Sequence, residues 1–256
     1  MGSKICPICD GKRCPVCEKR HCKEVHSNCD PIPASGKIKA SANTMYNTMK
    51  NTYPDGPETF AFSDFENLLR TNGHNENSIG LSYYSDEEVY RLRELKTGNS
   101  PTSVKVTIFT TTVATIHNHP NGTPPSGIDF LNTAKWVSDN NVYSTTYVYT
   151  TNGNYALYIE DVQKAKLFYS KYSNCLSDTE TKMFKAESDL DKKWESIYKE
   201  LKGLSDTDRH MMSLAELAEQ TNSGIRILKS EPSSSNSFGL YYTQTIDDKI
   251  IPYNCK

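Results

Sequence analysis

The chain has 256 residues, 29 Lys and Arg against 31 Asp and Glu, a formal net charge of −2, and 36% hydrophobic residues. So balanced a charge offers no broad electrostatic footprint for a phosphate backbone, and nucleic acid is not an expected partner. No apolar run approaches the roughly 18 residues of a membrane span, so no membrane is expected either. No charged start leads into an apolar core, so the location reads as cytoplasmic or exported without a visible signal peptide.

Six of the eight cysteines lie in the first thirty residues: Cys6, Cys9, Cys14, Cys17, Cys22 and Cys29, with His21 and His26 between them. Cys6-Pro-Ile-Cys9 and Cys14-Pro-Val-Cys17 are two knuckles, each able to turn both sulfurs toward one metal. Residues 1–30 therefore read as a zinc-binding segment with ligands for one or two tetrahedral sites. A disulfide knot is the competing reading for an exported chain, and an unordered tail is a third. The segment is only mildly basic and holds no aromatic residue, so it lacks a stacking platform for bases. A protein-binding or tethering element suits it better. Residues 31–57 are punctuated by Pro31, Pro33, Gly36, Pro54, Gly56 and Pro57, and read as an irregular linker.

Thr59 to Thr71 reads as a helix, with Phe60, Phe62, Phe65, Leu68 and Leu69 as its apolar stripe and Asn72-Gly73 as its stop. Ile79 to Tyr84 reads as the strand after it, and Glu76 lies between the two. Glu87, Glu88 and Glu94 fall on the next strand or its turn, where carboxylates usually face water.

Val104 to Ile116 is rich in Val, Ile, Thr and Phe, and predicts a strand running into His117-Asn118-His119-Pro120. Histidines at i and i+2 share one face only in an extended strand. Pro120, Pro124 and Pro125 stiffen the connection that follows, and Asn121-Gly122 marks a turn in it. Ser126 reads as a helix N-cap, with Asp129 at N3 and Ile128, Leu131, Ala134, Trp136 and Val137 as the apolar run beyond. Asp129 then faces back toward the end of the strand. His117, His119 and Asp129 make a three-ligand set with a fourth position for water, the arrangement of catalytic zinc. The plainer alternative is a Ser-x-x-Asp helix cap after a Pro-rich loop, with two incidental histidines.

Thr145 to Thr150 and Tyr155 to Ile159 read as a hairpin around Asn152-Gly153. Val162 to Leu201 reads as one helix interrupted near Asn174, or as a helical hairpin. Its Phe168, Tyr172, Leu176, Met183, Phe184, Leu190, Trp194, Ile197 and Leu201 recur at core spacing. A short helix over Ser213 to Thr221 precedes a terminal hairpin of Gly224 to Leu228 and Phe238 to Ile246. His210 reads as structural or surface, and Cys175 and Cys255 as free thiols, with a disulfide reserved for an exported chain.

His-x-His-Pro, a Pro-rich loop and Ser-x-x-Asp together resemble the signature of the JAB/MPN (JAMM) zinc metallopeptidases, and His117-Asn118-His119-Pro120-Asn121-Gly122 is especially similar to the bacterial branch. The resemblance covers residues 58–161 and implies an α/β class chain with a cytidine deaminase-like α/β/α sandwich there. Residues 162–256 would form a mainly helical extension with a terminal hairpin. It further implies zinc as cofactor, His117, His119 and Asp129 as its ligands, Glu76 as the base that holds the attacking water, and Ser126 as a donor to the oxyanion. The reaction implied is hydrolysis of a peptide or isopeptide bond in a protein or peptide substrate. By extension from bacterial relatives, a toxin or effector role with an immunity protein as partner is implied too. Two spacings depart from the family pattern: six residues rather than seven separate His119 from Ser126, and Glu76 to Gly80 is one residue longer than Glu-x-x-Gly. A catalytically silent scaffold and a zinc-knuckle adaptor are the alternatives.

Overall fold

The computed structural model describes residues 35–52, 61–71, 75–93, 95–177, 183–230, 238–246 and 249–255. The expected zinc segment, with Cys6, Cys9, Cys14, Cys17, His21, Cys22, His26 and Cys29, lies outside them. So do Phe60 and Glu94.

Ser35–Asn51 forms a helix (α1) where an irregular linker was expected. Ile38, Ala42, Tyr46 and Met49 recur at three- and four-residue intervals and are all buried, but abundant Ser, Asn, Thr and Lys between them hide the stripe. Phe62–Thr71 forms α2, with Phe62 and Phe65 buried. Asn77–Tyr84 (β1) turns through 85–88 into Val89–Leu92 (β2), and Lys96–Thr97 (β3) follows. Glu87 and Glu88 sit in that turn, Glu87 paired with Arg91 and Glu88 at a positive φ of 55°.

The expected strand from Val104 begins only at Thr112. Residues 104–110 are irregular, and Thr112–Asn118 is the strand (β4). The Asn140 side-chain amide sets that start by donating to the carbonyls of Phe109 (2.9 Å) and Thr112 (2.7 Å). Gly127–Asp139 (α3) then leads to Thr145–Thr150 (β5) and Gly153–Ile159 (β6).

Val162–Tyr172 (α4) ends in a 3-10 turn at Ser173–Cys175, so the interruption near Asn174 is real. Asp189–Glu200 is α5. The next helix, α6, spans Asp206–Gln220, seven residues earlier than the expected start at Ser213. Ser205 caps it by accepting from the Asp208 N–H, and the residues thus gained include His210. Ile225–Ser230 (β7) and Gly239–Ile246 (β8) pair as expected, and Lys249–Cys255 adds an unforeseen strand, β9. Leu176, expected in the core, is 42% exposed, whereas Phe168, Phe184, Leu190, Trp194 and Ile197 are buried as their spacing predicts. Cys175 is a buried free thiol.

The chain is thus mixed α/β. Among the described residues one nine-stranded sheet runs β2-β1-β4-β5-β6-β7-β8-β9, with β3 also on β1. β4 and β5 are its one parallel pair; the other pairs are antiparallel. A parallel pair needs a crossover, and α3 supplies it. Alternation along the strands makes two apolar layers. Ile79, Ile116, Tyr147, Ala156 and Leu228 face α1 and α2. Val148, Leu157 and Ile227 face α3, α4, α5 and α6. No helix among the described residues is long and apolar enough to cross a membrane.

Candidate metal centre

His117 is the penultimate residue of β4, and the ladder continues one step past the strand, since the His119 N–H donates to Tyr149 O (2.9 Å). Both imidazoles therefore leave the same face, with ring centroids 5.0 Å apart. The Pro-rich connection folds back at once. The Gly122 N–H donates to His119 O (3.0 Å), closing a turn with Pro120 second in it, where its fixed φ fits. Gly122 itself has φ 70°, a conformation glycine takes without cost. This turn delivers the Thr123 carbonyl to His119 Nδ1 at 3.0 Å. With its proton held there, a neutral His119 keeps its Nε2 lone pair for the site.

The Pro-rich loop ends where Ser126 starts α3. Ser126 Oγ accepts from the Asp129 N–H (3.2 Å), and Asp129 Oδ2 accepts from the Ser126 N–H (2.6 Å) and hydroxyl (2.7 Å). This is a full capping box. It occupies one carboxylate oxygen and aims the other. Asp129 Oδ1 lies 3.0 Å from His117 Nε2, a contact that a cap alone does not require.

Three donor atoms converge at this point. The two Nε2 atoms are 3.2 Å apart and Asp129 Oδ1 is 3.0 Å from His117 Nε2, while Oδ2, held by the cap, is 3.5 Å from His119 Nε2. Zinc with bonds of about 2.0–2.1 Å spaces tetrahedral ligands about 3.3 Å apart, so the first two separations are close to the edges of such a site. Two imidazole lone pairs and one carboxylate are also the donor types zinc takes. Among the described residues, His117, His119 and Asp129 are the group of three or more such side chains close enough to hold an ion, and all three are buried. At His117, by contrast, the buried Nδ1 has no hydrogen-bond partner among the described residues.

Glu76 reaches the same site from just before the neighbouring strand, β1. Ser78 on β1 lies opposite His117 on β4, which brings the residue two before Ser78 to the imidazoles. Glu76 Oε1 lies 3.7 Å from His119 Nε2. Its backbone is fixed on every side. The Glu76 N–H donates to Ser100 O (3.0 Å), and its carbonyl accepts from the Gly98 N–H (2.7 Å). Asn118, between the two histidines, accepts from the Asn77 N–H through Oδ1 and donates to Asn75 O through Nδ2. Sequence reasoning passed over Asn118, although its place between two histidines, on the opposite strand face, was the available signal.

Burial pulls the His117 pKa down, but the charge and hydrogen bond of Asp129, with Glu76 behind, raise it above the ordinary histidine value. At His119 burial prevails, helped by repulsion from His117, and the pKa is lowered. Burial also disfavours the Asp129 charge, yet His117, His119 and the Ser126 N–H together hold its carboxyl well below the usual range. A lone pair at His119 and a persistent carboxylate at Asp129 are the states that ligate a cation.

The site opens into a cleft of about 350 Å³. Of the apolar run in α3, Ile128 and Trp136 form part of its wall, while Leu131, Ala134 and Val137 are buried in the core. Residues of the irregular 101–106 stretch make the facing wall. Behind the site, His210 of α6 is half-buried against Trp194 (ring centroids 5.0 Å apart), with Nε2 2.8 Å from Pro125 O. A Cβ on Gly127 would fall 1.7 Å from Met183 O, so the chain packs backbone to backbone there. The C-terminal region thus braces the first turn of α3. No family model matches the chain, and no curated protein does.

Proposed function

We propose that this chain is a zinc-dependent hydrolase of peptide or isopeptide bonds, with a JAB/MPN-like site. What carries the reading is the convergence of His117, His119 and Asp129 at ligand spacing with the Glu76 carboxylate beside them in an open cleft. His117 and His119 offer their Nε2 atoms and Asp129 its Oδ1. Zinc held there supplies Lewis acidity, lowering the pKa of water from about 15.7 toward 7 and polarising a carbonyl. Glu76 takes a proton from the attacking water as its oxygen bonds to the carbonyl carbon. It returns that proton to the nitrogen as the carbon–nitrogen bond breaks. Ser126 exchanges its hydrogen bond with Asp129 for one to the developing oxyanion, a contact whose removal typically costs about 3 kcal/mol.

One observation favours a second reading, that of a silent scaffold: the capping box accounts for Ser126 and for Asp129 Oδ2 without any metal. Zinc content by plasma mass spectrometry and cleavage of a peptide and isopeptide panel decide between the two. Hydrolysis that disappears in His119→Ala and Glu76→Gln supports the hydrolase. Bound zinc with no cleavage, and no difference on Glu76→Gln, supports the scaffold.

A further inference from the structure

α3 carries two stripes. At about 100° per residue, Phe130, Leu131, Ala134 and Val137 fall on one side of the helix and are buried in the core. Ile128, Asp129, Asn132, Lys135 and Trp136 fall on the other, within an arc of about 120°, and all five line the metal cleft. At about 1.5 Å of rise per residue, Asn132 stands about 4.5 Å and Lys135 about 9 Å beyond Asp129 along the axis. The cleft therefore has a direction. A metal ligand stands at one end, a side-chain amide follows it, and an ammonium lies at the outer end.

Neither polar side chain is occupied in holding the fold. Asn132 is half-buried and Lys135 exposed, and neither makes a hydrogen bond or an ion pair among the described residues. Asparagine is a weaker helix former than most, and here its amide has no protein partner to offset that. Asp139, one turn past Lys135, is exposed, does not line the cleft and forms no ion pair with it. The carboxylates that share the cleft, Asp129 and Glu76, sit at the opposite end against the imidazoles. An amide has both a donor and an acceptor, as does each residue of a peptide main chain. An extended peptide covers about 9 Å in about three residues. The group it then brings to Lys135 meets a compact positive charge on a flexible stem, which suits a carboxylate.

We infer that the cleft face of α3 selects the substrate, with Asn132 holding the peptide main chain and Lys135 pairing with a substrate carboxylate about three residues from the scissile bond. The inference rests on the hydrolase reading for the scissile bond, whereas the peptide wall stands on its own residues. An internal Asp or Glu side chain and a free C-terminus supply the same carboxylate chemistry.

The test uses fluorescent decapeptides of Ala and Gly with a single Glu, Gln or Lys stepped through the positions, each with a free or amidated C-terminus. They are titrated by anisotropy against zinc-loaded full-length Glu76→Gln protein, and offered for cleavage to the wild type. Glu over Gln at one or two adjacent positions, or the free terminus over its amide, should tighten binding about three- to fivefold, the scale of an exposed ion pair. Which of the two matters assigns the source. The preference should fade in 0.5 M salt, at an ionic strength where the screening length is only about 4 Å. Further substitutions are made in the Glu76→Gln background. Lys135→Met should abolish the preference with zinc content unchanged, and Lys135→Glu should reverse it, toward Lys or toward the amide. Asn132→Ala should weaken charged and neutral peptides alike, by about fivefold. Asp139→Asn alters the charge of the same helix outside the cleft and should leave the preference in place. The inference is refuted by equal binding of Glu and Gln peptides with equal binding of acid and amide termini, by a preference that survives Lys135→Met, or by no binding at millimolar peptide. Cleavage without any acidic preference rejects the role of Lys135 and keeps the hydrolase. A preference in binding that Lys135→Glu reverses, with no cleavage by the wild type, upholds the peptide wall and rejects the hydrolase.

Discussion

Asp129 uses its two oxygens for different purposes, and two substitutions separate them. Oδ2 completes the α3 cap, while Oδ1 faces His117. Asparagine keeps an oxygen for the Ser126 N–H and hydroxyl but turns an NH2 group toward His117, where it cannot ligate a cation. Asp129→Asn should therefore weaken the cap by about 1 kcal/mol, the difference between charged and neutral acceptors. Asp129→Ala removes the reciprocal half of the box and strands the half-buried Ser126 N–H, for about 2 kcal/mol in all. At about 2–4 °C per kcal/mol for a chain of this size, melting should fall by about 2–4 °C in the first and about 4–8 °C in the second. Circular dichroism of metal-free protein measures this, since bound zinc would add stability of its own. Zinc affinity should drop in both variants alike, by more than the roughly 10- to 100-fold typical of outer-shell changes. Competition against a chromogenic chelator, on a chain lacking residues 1–30 so that thiolates do not interfere, reads it. An Asp129→Asn protein that binds zinc as the wild type does would show that the carboxylate serves only the helix.

Asn118→Ala leaves the buried Asn77 N–H without its acceptor and should destabilise by about 1–3 kcal/mol. With Glu76 released by about 1 Å, hydrolysis should fall about 100-fold while zinc affinity holds; unchanged turnover would refute the positioning role. His210→Leu removes the donor to Pro125 O and should cost about 1–3 kcal/mol and weaken zinc binding, whereas His210→Gln, which retains a donor, should restore most of both. Burial, opposed by the Pro125 carbonyl and Asp129 and aided by His119, lowers the His210 pKa below 6.5. Its neutral form therefore costs nothing above that pH. Stability should decline as pH falls below about 6.5, because the unfolded chain takes up the proton first. That decline should be shallower in His210→Gln urea titrations, and equal slopes would count against it. Deleting residues 1–30 should remove one or two zinc ions and leave one, by plasma mass spectrometry; a chain left with none would contradict the central site.

The amino-acid sequence by itself determined whatever depends on neighbours a few residues apart. Alternation put both imidazoles on one strand face, Ser126 and Asp129 spelled a capping box, and Asn152-Gly153 closed a hairpin. Steric and hydrogen-bonding preferences of that range are written in the local order of residues. Other features needed the folded chain. The register of β1 on β4 brought Glu76 to His119 across some forty residues. The docking of α6 turned an isolated His210 into a brace, and the burial of α1 overrode a polar composition. Residues 104–110, strand-like in composition, stayed irregular as the Asn140 amide captured the turn before β4. Pairing and packing partners are chosen by total burial and by which edges remain open, and no short window of sequence contains that information.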